Sequence, residues 1–463
     1  MTFAESAGVV IDLLANYLEQ CRSGDVPVVA FDSPENLAVK LRLADLVRDG
    51  RLEEQLVPFL QVYLAATTRL HHPAYMAHQV SVPAPVAGLA DLIHGVANNP
   101  MAIYEMGPAA AAVELFVIDW MLRHAGWHPG GAGVLTHGGS LANLLALLAA
   151  RAAIAPDAWE AGTPADLLVL APAASHYSIA RAVSIAGLGR RRLRLVPVDE
   201  SDRQVPAALR SALKQARDEG LRVMAVVANA CVTSTGAFDH LETVAGICRE
   251  EGVWLHVDGA HGASALLSPS HRHRLRGLEH AHSLTWDAHK MLRVPTLCTA
   301  ILLRDATAFD RTFAEEASYL FYGHSSGGPD LIHRTIECTK SELGLKLLFA
   351  IAAEGESGLA SYWDGRCAAA ARFTAIARRT AGFDAPFDPE SNIVCFRWRE
   401  GDDGEQVRIR EALLQEGRFH ISSAEVNGRR YLRLSVMNPA TTDDTFRALL
   451  EAIARTAEQP TRA

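Results

Sequence analysis

A lysine stands at an unusual place in the stretch TWDAHKML, residues 285–292. Lys290 comes just after a β-leaning segment and just before the apolar run VPTLCTAILL, residues 294–303. Because a lysine ammonium is costly to remove from water unless it is paired or loses its charge, this position needs an explanation. The octet alone fits a strand-end lysine whose charged group reaches water. It also fits an amine held in place to form a covalent bond with a carbonyl group.

A second candidate is the segment THGGSLAN, residues 136–143, which follows a strand-like GVL and opens a long predicted helix. Paired glycines and Ser140 at a helix start expose backbone N–H groups and a hydroxyl, and the helix dipole there favours an anion. The segment is also typical of a tight strand-to-helix turn in which Ser140 caps the helix. It is neither G-x-G-x-x-G nor GxxxxGK[ST], so it does not favour a dinucleotide or ATP.

His176 and Asp258 are also candidates, because each is predicted to follow a strand. The imidazole of His176, in SHYS (175–178), can stack on an aromatic cofactor, although a lone histidine there more often caps or packs. Asp258, in HVDGAHG (256–262), ends an apolar strand. A carboxylate there can hold a heterocyclic nitrogen protonated through a charge-assisted hydrogen bond, and the small residues after it leave room for a planar ring. A simple cap of the next turn would have the same sequence.

Together these four features match what pyridoxal 5'-phosphate requires of a protein. The cofactor needs an anion cradle for its phosphate, a group against its ring, a carboxylate for its pyridine nitrogen and an amine for its Schiff base. The segment 136–143, His176, Asp258 and Lys290 offer these groups in chain order. Four such coincidences are hard to explain by helix capping.

The chain resembles the group II pyridoxal-phosphate decarboxylases, which act on glutamate, cysteine sulfinate, diaminobutyrate and aromatic amino acids. The resemblance runs from about residue 70 to 445 and is closest to the glutamate and cysteine-sulfinate branch in HRHRLRGLE and DAHKML. The segments that carry it are HPAYMAHQ (72–79), YEMGPAAAAVE (104–114), GVLTHGGSLANLLALLAAR (133–151), SHYSIARA (175–182), ANACVTSTGAFD (228–239), WLHVDGAHG (254–262), HRHRLRGLEHAHSLTWDAHKML (271–292) and YLRLSVMNPATT (431–442).

This resemblance implies a role for each residue of the centre. Lys290 would form the Schiff base with the cofactor, and Asp258 would pair with the pyridine nitrogen. His176 would stack on one face of the ring, with Ala260 on the other. The bond of the substrate that stands perpendicular to the ring would then break, and loss of the α-carboxylate as carbon dioxide would give an amine.

Further roles are implied for residues around the centre. Gly139 and Ser140 would hold the phosphate, and Thr233 would lie near the ring oxygen and the substrate. His289 would flank the lysine, and Arg433 matches an arginine that anchors a substrate carboxylate. The resemblance also implies an obligate homodimer, with the N-terminal helices wrapped over the partner and active sites built from both chains.

The sequence departs from the family in its mobile loop, where a tyrosine usually donates a proton. The matching segment, FYGHSSGGPDLIHRTIECTK (321–340), has His324 at that place when aligned from one side and Gly327 when aligned from the other. We hypothesise that His324, or else Tyr322, supplies the proton. Without such a donor, oxygen could intercept the reaction and give an aldehyde; alternatively the loop is purely structural, with water or His176 as donor.

Two further departures lie near the predicted phosphate site. The family's usual asparagine three residues before the lysine, a phosphate ligand, is Asp287 in this chain. Since an acid near a dianion is unfavourable, phosphate binding is not assigned to it. His137 stands where the glutamate branch often has proline, so the resemblance does not define the substrate pocket at this position.

The elements that position these residues form an α/β pattern. Helical stretches alternate with short strand-like runs from about residue 86, which predicts a mainly parallel sheet covered on both faces. Such sheets bind ligands at the carboxyl ends of their strands. The resemblance adds the aspartate-aminotransferase fold, fold type I. We expect an N-terminal helical segment at 1–85, a large cofactor-binding domain at 86–350 and a small α+β domain at 351–463, with residues 71–85 crossing a surface.

Bulk composition restricts the class of protein further. The 463 residues carry a net charge of −9, which argues against nucleic acid and anionic membranes as partners. Seven scattered cysteines without CxxC spacing indicate reduced thiols rather than a disulfide framework or a zinc site. The N-terminus lacks the order of a signal peptide, and no apolar run approaches a membrane span, so we expect a cytoplasmic protein. The predicted function is decarboxylation of an acidic or small polar L-amino acid, with a decarboxylation-dependent aldehyde synthase as the alternative.

Overall fold

The computed structural model describes residues 2–50, 52–313 and 328–459, which divide into two units. The large unit comprises Gln79–Gly365, and the small unit comprises Met1–His78 together with Arg366–Ala463. In the described part of the chain, no helix is long and apolar enough to cross a membrane.

A seven-stranded sheet forms the middle of the large unit. Its strands are β1 (Ala132–Thr136), β2 (Leu167–Pro172), β3 (Leu193–Val196), β4 (Arg222–Asn229), β5 (Trp254–Asp258), β6 (Ser283–Asp287) and β7 (Thr299–Leu303). They lie in the order β1-β7-β6-β5-β4-β2-β3. The five strands from β6 to β3 run parallel, whereas β7 is antiparallel to both of its neighbours. The carboxyl ends of β4, β5 and β6 therefore meet at one edge of the sheet.

The helices of the large unit cover this sheet. They are α5 (Pro85–Ala97), α6 (Pro108–Ala125), α7 (Gly139–Ile154), α8 (Ala158–Ala161), α9 (Tyr177–Ile185), α10 (Pro206–Asp218), α11 (Leu241–Glu251), α12 (Ala288–Met291), α13 (Thr307–Phe313) and the start of α14 (Gly344–Arg379), which is interrupted at Gly355. Helix α7, GSLANLLALLAARAAI, is apolar on nearly every side and largely buried, as expected for a helix enclosed in a core. Strand β2 is buried at every position, which is typical of a strand covered on both faces.

The small unit combines helices with an antiparallel sheet. Its helices are α1 (Phe3–Ser23), α2 (Pro34–Lys40), α3 (Leu43–Asp49), α4 (Leu52–Ala66), the end of α14, α15 (Asp403–Glu416) and α16 (Asp443–Glu458). Its strands are β8 (Phe383–Asp384), β9 (Ile393–Trp398), β10 (Ser422–Val426) and β11 (Arg429–Ser435), in the order β10-β11-β9-β8. Phe373, Phe396 and Phe446 pack edge to face in its core.

The architecture confirms the predicted fold class, a mainly parallel sheet with helices and a smaller α+β part. The expectation that residues 71–85 cross a surface is wrong for most of the segment, because residues 72, 74–77, 81, 82 and 84 are buried. Tyr75, Met76 and Ala77 are buried in the core of the small unit, because Met76 donates to the carbonyl of His420 and accepts from the N–H of Ser435. The three predicted domain boundaries stay a prediction.

A buried ion pair fixes strand β1, which leads into the glycine-rich turn. The Lys340 ammonium lies 2.5 Å from both carboxylate oxygens of Glu114 on α6 and 2.9 Å from the carbonyl oxygen of Leu135 on β1. Glu114 also accepts the Leu135 N–H at 2.9 Å. Both charged side chains are 1% exposed. Removing either partner leaves an uncompensated buried charge, so helix, strand and residue 340 are held together.

We therefore expect Lys340→Met to lower the free energy of unfolding by about 3–5 kcal/mol, because Glu114 would remain charged and unpaired in the core. The measurement is urea unfolding of the cofactor-free protein, followed by circular dichroism. The double variant Glu114→Gln with Lys340→Met is the matched control and should recover part of the loss, since it buries no unpaired charge. Equal midpoints for Lys340→Met and the wild type would contradict this account.

Candidate active site

The carboxyl ends of three neighbouring strands bring polar side chains to one edge of the large sheet. Asn229 ends β4 and is paired in register with Asp258, which ends β5. Asp258 is paired in turn with Thr285 on β6, two residues before Asp287 at the end of that strand. Ligands of open α/β sheets bind at this kind of edge. Lys290, Asp258 and the glycine-rich turn lie at this edge.

Lys290 lies next to Asp287 at this edge. Helix α12 begins directly after β6, and the Lys290 ammonium lies 3.1 Å from a carboxylate oxygen of Asp287. The other oxygen accepts the Thr299 hydroxyl at 2.7 Å. Burial alone would raise the pKa of Asp287, but the charges of Lys290 and His289 and the Thr299 hydrogen bond outweigh it and lower that pKa. Asp287 is therefore an ionised carboxylate with a fixed orientation.

Asp258 is held by two donors. One carboxylate oxygen accepts the side-chain N–H of Asn143 at 2.9 Å, and the other accepts the backbone N–H of Ala260 at 3.2 Å. Asp258 is 7% exposed. The carbonyl of Ala260 accepts the N–H of Asp287, so the turn after β5 is tied to the end of β6. The two donors point hydrogens at both oxygens and so stabilise the negative charge.

Asn143 is a residue of the site that the sequence analysis missed. Its amide also donates to Ser178 at 3.0 Å, and its oxygen accepts from His256 at 3.0 Å and from Thr285 at 2.7 Å. Asn143 is 1% exposed and uses its full hydrogen-bonding capacity. The available signal was an amide side chain among the apolar residues of a helix predicted to be buried, because a buried amide must find partners.

His176 caps the start of helix α9. Its ring nitrogen Nδ1 accepts the N–H of Ser178 and lies 2.8 Å from the Ser178 hydroxyl oxygen. Burial lowers the pKa of His176, an effect that the charge of Asp258 opposes and the charge of Lys290 reinforces. The net result is a ring held neutral. Ser178 also accepts from Asn143, which donates to Asp258, so two side chains connect His176 to Asp258. Asp258 lies on the strand next to the one that ends at Asp287, the partner of Lys290.

The glycine-rich turn reaches the same edge. Gly138 has φ of +110°, a conformation that favours glycine, and α7 begins at Gly139. A Cβ atom on Gly139 would lie 3.0 Å from a carboxylate oxygen of Asp287, so a side chain there would be crowded. Ser140 is exposed. The N–H groups at the start of this 16-residue helix can bind a phosphate, although Asp287 opposes an anion beside it.

Three other predicted residues have different environments. Thr233 follows β4 and is exposed. His289 is buried, with Nδ1 2.9 Å from the carbonyl oxygen of Cys298 and Nε2 3.6 Å from Asp287. Arg433 lies on β11 of the small unit, is 6% exposed and donates to Ser422 and to the carbonyl of Ala77.

His324 and Tyr322 lie outside the described residues. His137, at the glycine-rich turn, is engaged through both ring nitrogens: Nδ1 lies 2.6 Å from Glu337 and Nε2 lies 3.2 Å from the hydroxyl of Ser341. His137 therefore connects the turn to the last part of the segment 321–340 and to the residue that follows it. Among the described residues, no group of three or more histidines, cysteines and acids could hold a metal ion.

The donor set fits pyridoxal 5'-phosphate. Lys290 offers an amine, Asp258 a carboxylate for a ring nitrogen and His176 a neutral planar ring, while the start of α7 offers N–H donors beside a glycine that keeps space open. Each of these groups belongs to the large unit.

Comparison with known proteins agrees with this chemistry. Residues 50–399 match the model of the pyridoxal-dependent decarboxylase conserved domain. The chain is 33% identical over 403 residues to L-2,4-diaminobutyrate decarboxylase of Rhizobium meliloti (strain 1021), covering 84% of this chain and 78% of that protein. It is 31% identical over 394 residues to human cysteine sulfinic acid decarboxylase, covering 84% and 79%. The crystal structure of mouse CSAD superposes with a TM-score of 0.90 at 26% identity, covering 98% of each chain.

Proposed function

Because the chain belongs to the pyridoxal-dependent decarboxylase family, carboxy-lyases that use pyridoxal 5'-phosphate, we propose that it converts an acidic or small polar L-amino acid to the amine and carbon dioxide. The observation that carries this proposal is the position of Lys290, Asp258 and His176 at one edge of the sheet, where hydrogen bonds connect His176 to Asp258 and Lys290 pairs with Asp287 on the next strand. When bound, the cofactor supplies an electron sink for the bond that breaks.

Each of these residues of the large unit would have its own role in binding the cofactor. The Lys290 amine would attach the cofactor, and Asp258, oriented by Asn143, would face the ring nitrogen with its negative charge. His176 would cover one face of the ring as a neutral imidazole, with Ala260 on the other. Gly139 and Ser140 at the start of α7 would bind the phosphate, Thr233 would lie near the ring oxygen and His289 would flank Lys290; Asp287 is left without a phosphate-binding role.

The acidic or small polar nature of the substrate is supported by one residue and by the relatives. Arg433 is buried and bonded to Ser422 within the small unit, so its guanidinium has a fixed direction. Relatives include decarboxylases named for cysteine sulfinic acid and for acidic amino acids, and one named for L-2,4-diaminobutyrate. We assign to Arg433 the binding of a substrate carboxylate.

The donor of the final proton decides the product. We keep His324 as the proposed donor and Tyr322 as the second choice, since the usual loop tyrosine is missing from residues 321–340. A loop without a donor would favour a second function, decarboxylation-dependent formation of an aldehyde with oxygen as oxidant. Water or His176 would preserve the amine product.

The enzyme is also proposed to be a homodimer that shares its active sites. Helix α5 supports an interface, because Val86, Leu89, Ile93 and Val96 are 40%, 45%, 45% and 62% exposed. Their spacing puts them on one face of the helix, while Ala87 and Ala90 are buried on the other. An exposed apolar stripe of this kind is typical of a surface that another chain covers.

Product identification tests the proposed reaction. The purified protein, loaded with pyridoxal 5'-phosphate, is given glutamate, aspartate, cysteine sulfinate, diaminobutyrate and aromatic amino acids under air and under nitrogen, and products are identified by mass spectrometry. We expect amine and carbon dioxide in both atmospheres. Aldehyde with ammonia and peroxide, formed only in air, would support the alternative function instead.

Two variants serve as controls for this experiment. Lys290→Ala should lose both turnover and the absorbance of the attached cofactor, because no other amine is assigned to that position. Survival of both would contradict the assignment of Lys290. His324→Phe should lower the amine yield, and an unchanged yield would remove His324 from the mechanism.

The proposed role of Arg433 predicts which substrates lose kcat/KM when this residue is replaced. Arg433→Met should lower kcat/KM by about 10²- to 10³-fold, because a charge-assisted hydrogen bond to a substrate carboxylate is lost. If Arg433 binds a side-chain carboxylate, the loss is confined to acidic amino acids; if it binds the α-carboxylate, every substrate is affected. A normal kcat/KM for all substrates in steady-state kinetics would exclude both roles.

The α5 stripe predicts that a charge on this helix separates the protomers. Ile93→Glu should sediment as a monomer in analytical ultracentrifugation at concentrations where the wild type sediments as a dimer, because burying an unpaired carboxylate is unfavourable. Leu195→Glu is the matched control, since Leu195 is 56% exposed on β3 and outside the stripe. Identical sedimentation of Ile93→Glu and wild type would place the interface elsewhere.

A further inference from the structure

We propose that His256 and Asn143 are positioning residues for Asp258. His256 donates to the side-chain oxygen of Asn143 and so fixes the orientation of that amide. The two N–H groups of Asn143 then donate to Asp258 and to Ser178, the residue bonded to His176. The inference rests on the proposed function, in which Asp258 faces the ring nitrogen of the cofactor. It concerns side chains that lie behind that carboxylate, on the far side from the ligand edge.

The chain begins at Trp254, the first residue of β5. The indole N–H of Trp254 donates to the Ser283 hydroxyl oxygen at 2.9 Å. Ser283 lies 2.9 Å from Nδ1 of His256, and Nε2 of His256 lies 3.0 Å from the Asn143 side-chain oxygen. Asn143 then donates to Asp258 at 2.9 Å. Four hydrogen bonds therefore connect the start of β5 to the carboxylate at its end.

The chemistry of the two ends of the chain sets the direction of its hydrogen bonds. The carboxylate of Asp258 can only accept, so the Asn143 nitrogen faces it and the Asn143 oxygen faces Nε2 of His256, which therefore donates. At the other end an indole N–H can only donate, so Ser283 accepts from Trp254 and can donate its own O–H to Nδ1 of His256. Nδ1 is then an acceptor, and the ring proton of the neutral imidazole lies on Nε2. That N–H points at the oxygen of Asn143, which turns the amide nitrogen towards Asp258.

The environment keeps this arrangement in one state. Ser283, His256 and Thr285 are fully buried, and Asn143 is 1% exposed. Burial lowers the pKa of His256 to about 4, so the ring is neutral at neutral pH, as the chain of donors requires. The Thr285 hydroxyl is a second donor to the Asn143 oxygen, at 2.7 Å.

The second N–H of Asn143 also positions His176, the histidine proposed to stack on the cofactor ring. It donates to the Ser178 hydroxyl at 3.0 Å, and Ser178 lies 2.8 Å from Nδ1 of His176. A reversed amide would instead point its oxygen at the carboxylate of Asp258 and repel it. Because His256 and Thr285 donate to the oxygen of Asn143, they prevent this reversal, and one amide orients both the acid and the stacking ring.

The test compares His256→Phe and Asn143→Leu with the wild type, each loaded with pyridoxal phosphate that is ¹⁵N-labelled in the ring. The ¹⁵N chemical shift reports whether the ring nitrogen is protonated, and kcat, KM and cofactor affinity are measured beside it. We expect the nitrogen to lose its proton at lower pH in both variants. Turnover should fall by about 10- to 100-fold, the effect of removing a buried hydrogen-bond partner, while KM changes little.

A milder pair of variants keeps the test decisive if these proteins fold poorly. Thr285→Val removes one of the two donors to Asn143, whereas Thr312→Val removes an equally buried threonine hydroxyl that bonds only within α13. Thr285→Val should shift the ¹⁵N titration in the same direction as His256→Phe, and Thr312→Val should titrate like the wild type. His256→Gln, which can still donate to Asn143, should recover part of the turnover.

Two failures are distinguishable. Wild-type ¹⁵N shifts and turnover in folded His256→Phe and Thr285→Val would overturn the positioning role while leaving the proposed function intact. An unchanged ¹⁵N shift in Asp258→Asn, or a wild type that binds no cofactor, would instead overturn the assignment of Asp258 and with it the proposed function.

Discussion

The structure depends on keeping two carboxylates at the end of an apolar sheet. Asp258 and Asp287 end adjacent strands, and both are buried. Their like charges would repel and burial removes most of their solvation, so each needs its own donors. Asp287 has Lys290 and the Thr299 hydroxyl, while Asp258 has Asn143 and the N–H of Ala260. The partners differ: Asp287 is paired with a cation, whereas Asp258 is bonded to two neutral N–H groups and is the carboxylate proposed to face the cofactor.

Helix α7 contributes both hydrogen-bond donors and core packing to this edge of the sheet. Its start supplies free N–H groups and follows a glycine turn close to Asp287, its second turn supplies Asn143, and its remaining length fills the core against the sheet. Burial of its apolar sides fixes the helix, and the fixed helix orients the amide to which Asp258 is bonded. Packing and electrostatics are therefore coupled, since a shift of α7 would move the proposed phosphate site and the amide together.

The sequence predicts the parts of this structure that follow from pattern. The mainly parallel sheet and the position of Asp258 at the end of a strand were predicted, because short apolar runs that alternate with helical stretches indicate buried strands. Lys290, Asp258 and His176 were predicted from type and position, since strand ends in an α/β fold collect ligand-binding groups. Their roles as catalytic and cofactor-binding residues stay predictions.

The rest depends on contacts between residues far apart in the chain. Asn143 bonds Asp258 and Thr285, more than 110 residues away, and no local pattern shows which of its four hydrogen-bonding positions faces which partner. Likewise, nothing in the local sequence around Lys340 indicates that it is buried, because its partner Glu114 is 226 residues away. The burial of Tyr75 and Met76 was missed for the same reason, since their partners come from the far end of the sequence.

The two departures from the family pattern, Asp287 and His137, lie on either side of the glycine-rich turn, and the structure gives each a partner. Asp287 is bonded to Lys290 and Thr299, and His137 is bonded to Glu337 and Ser341. The negative charge of Asp287 next to Gly139 opposes a phosphate there, so the N–H groups at the start of α7 must outweigh that repulsion. The glycine turn cannot retreat from Asp287, because Glu114 and Lys340 fix β1 on one side and the core fixes α7 on the other. If the phosphate binds at the start of α7 as proposed, its affinity depends on the balance between the buried acid Asp287 and the helix terminus.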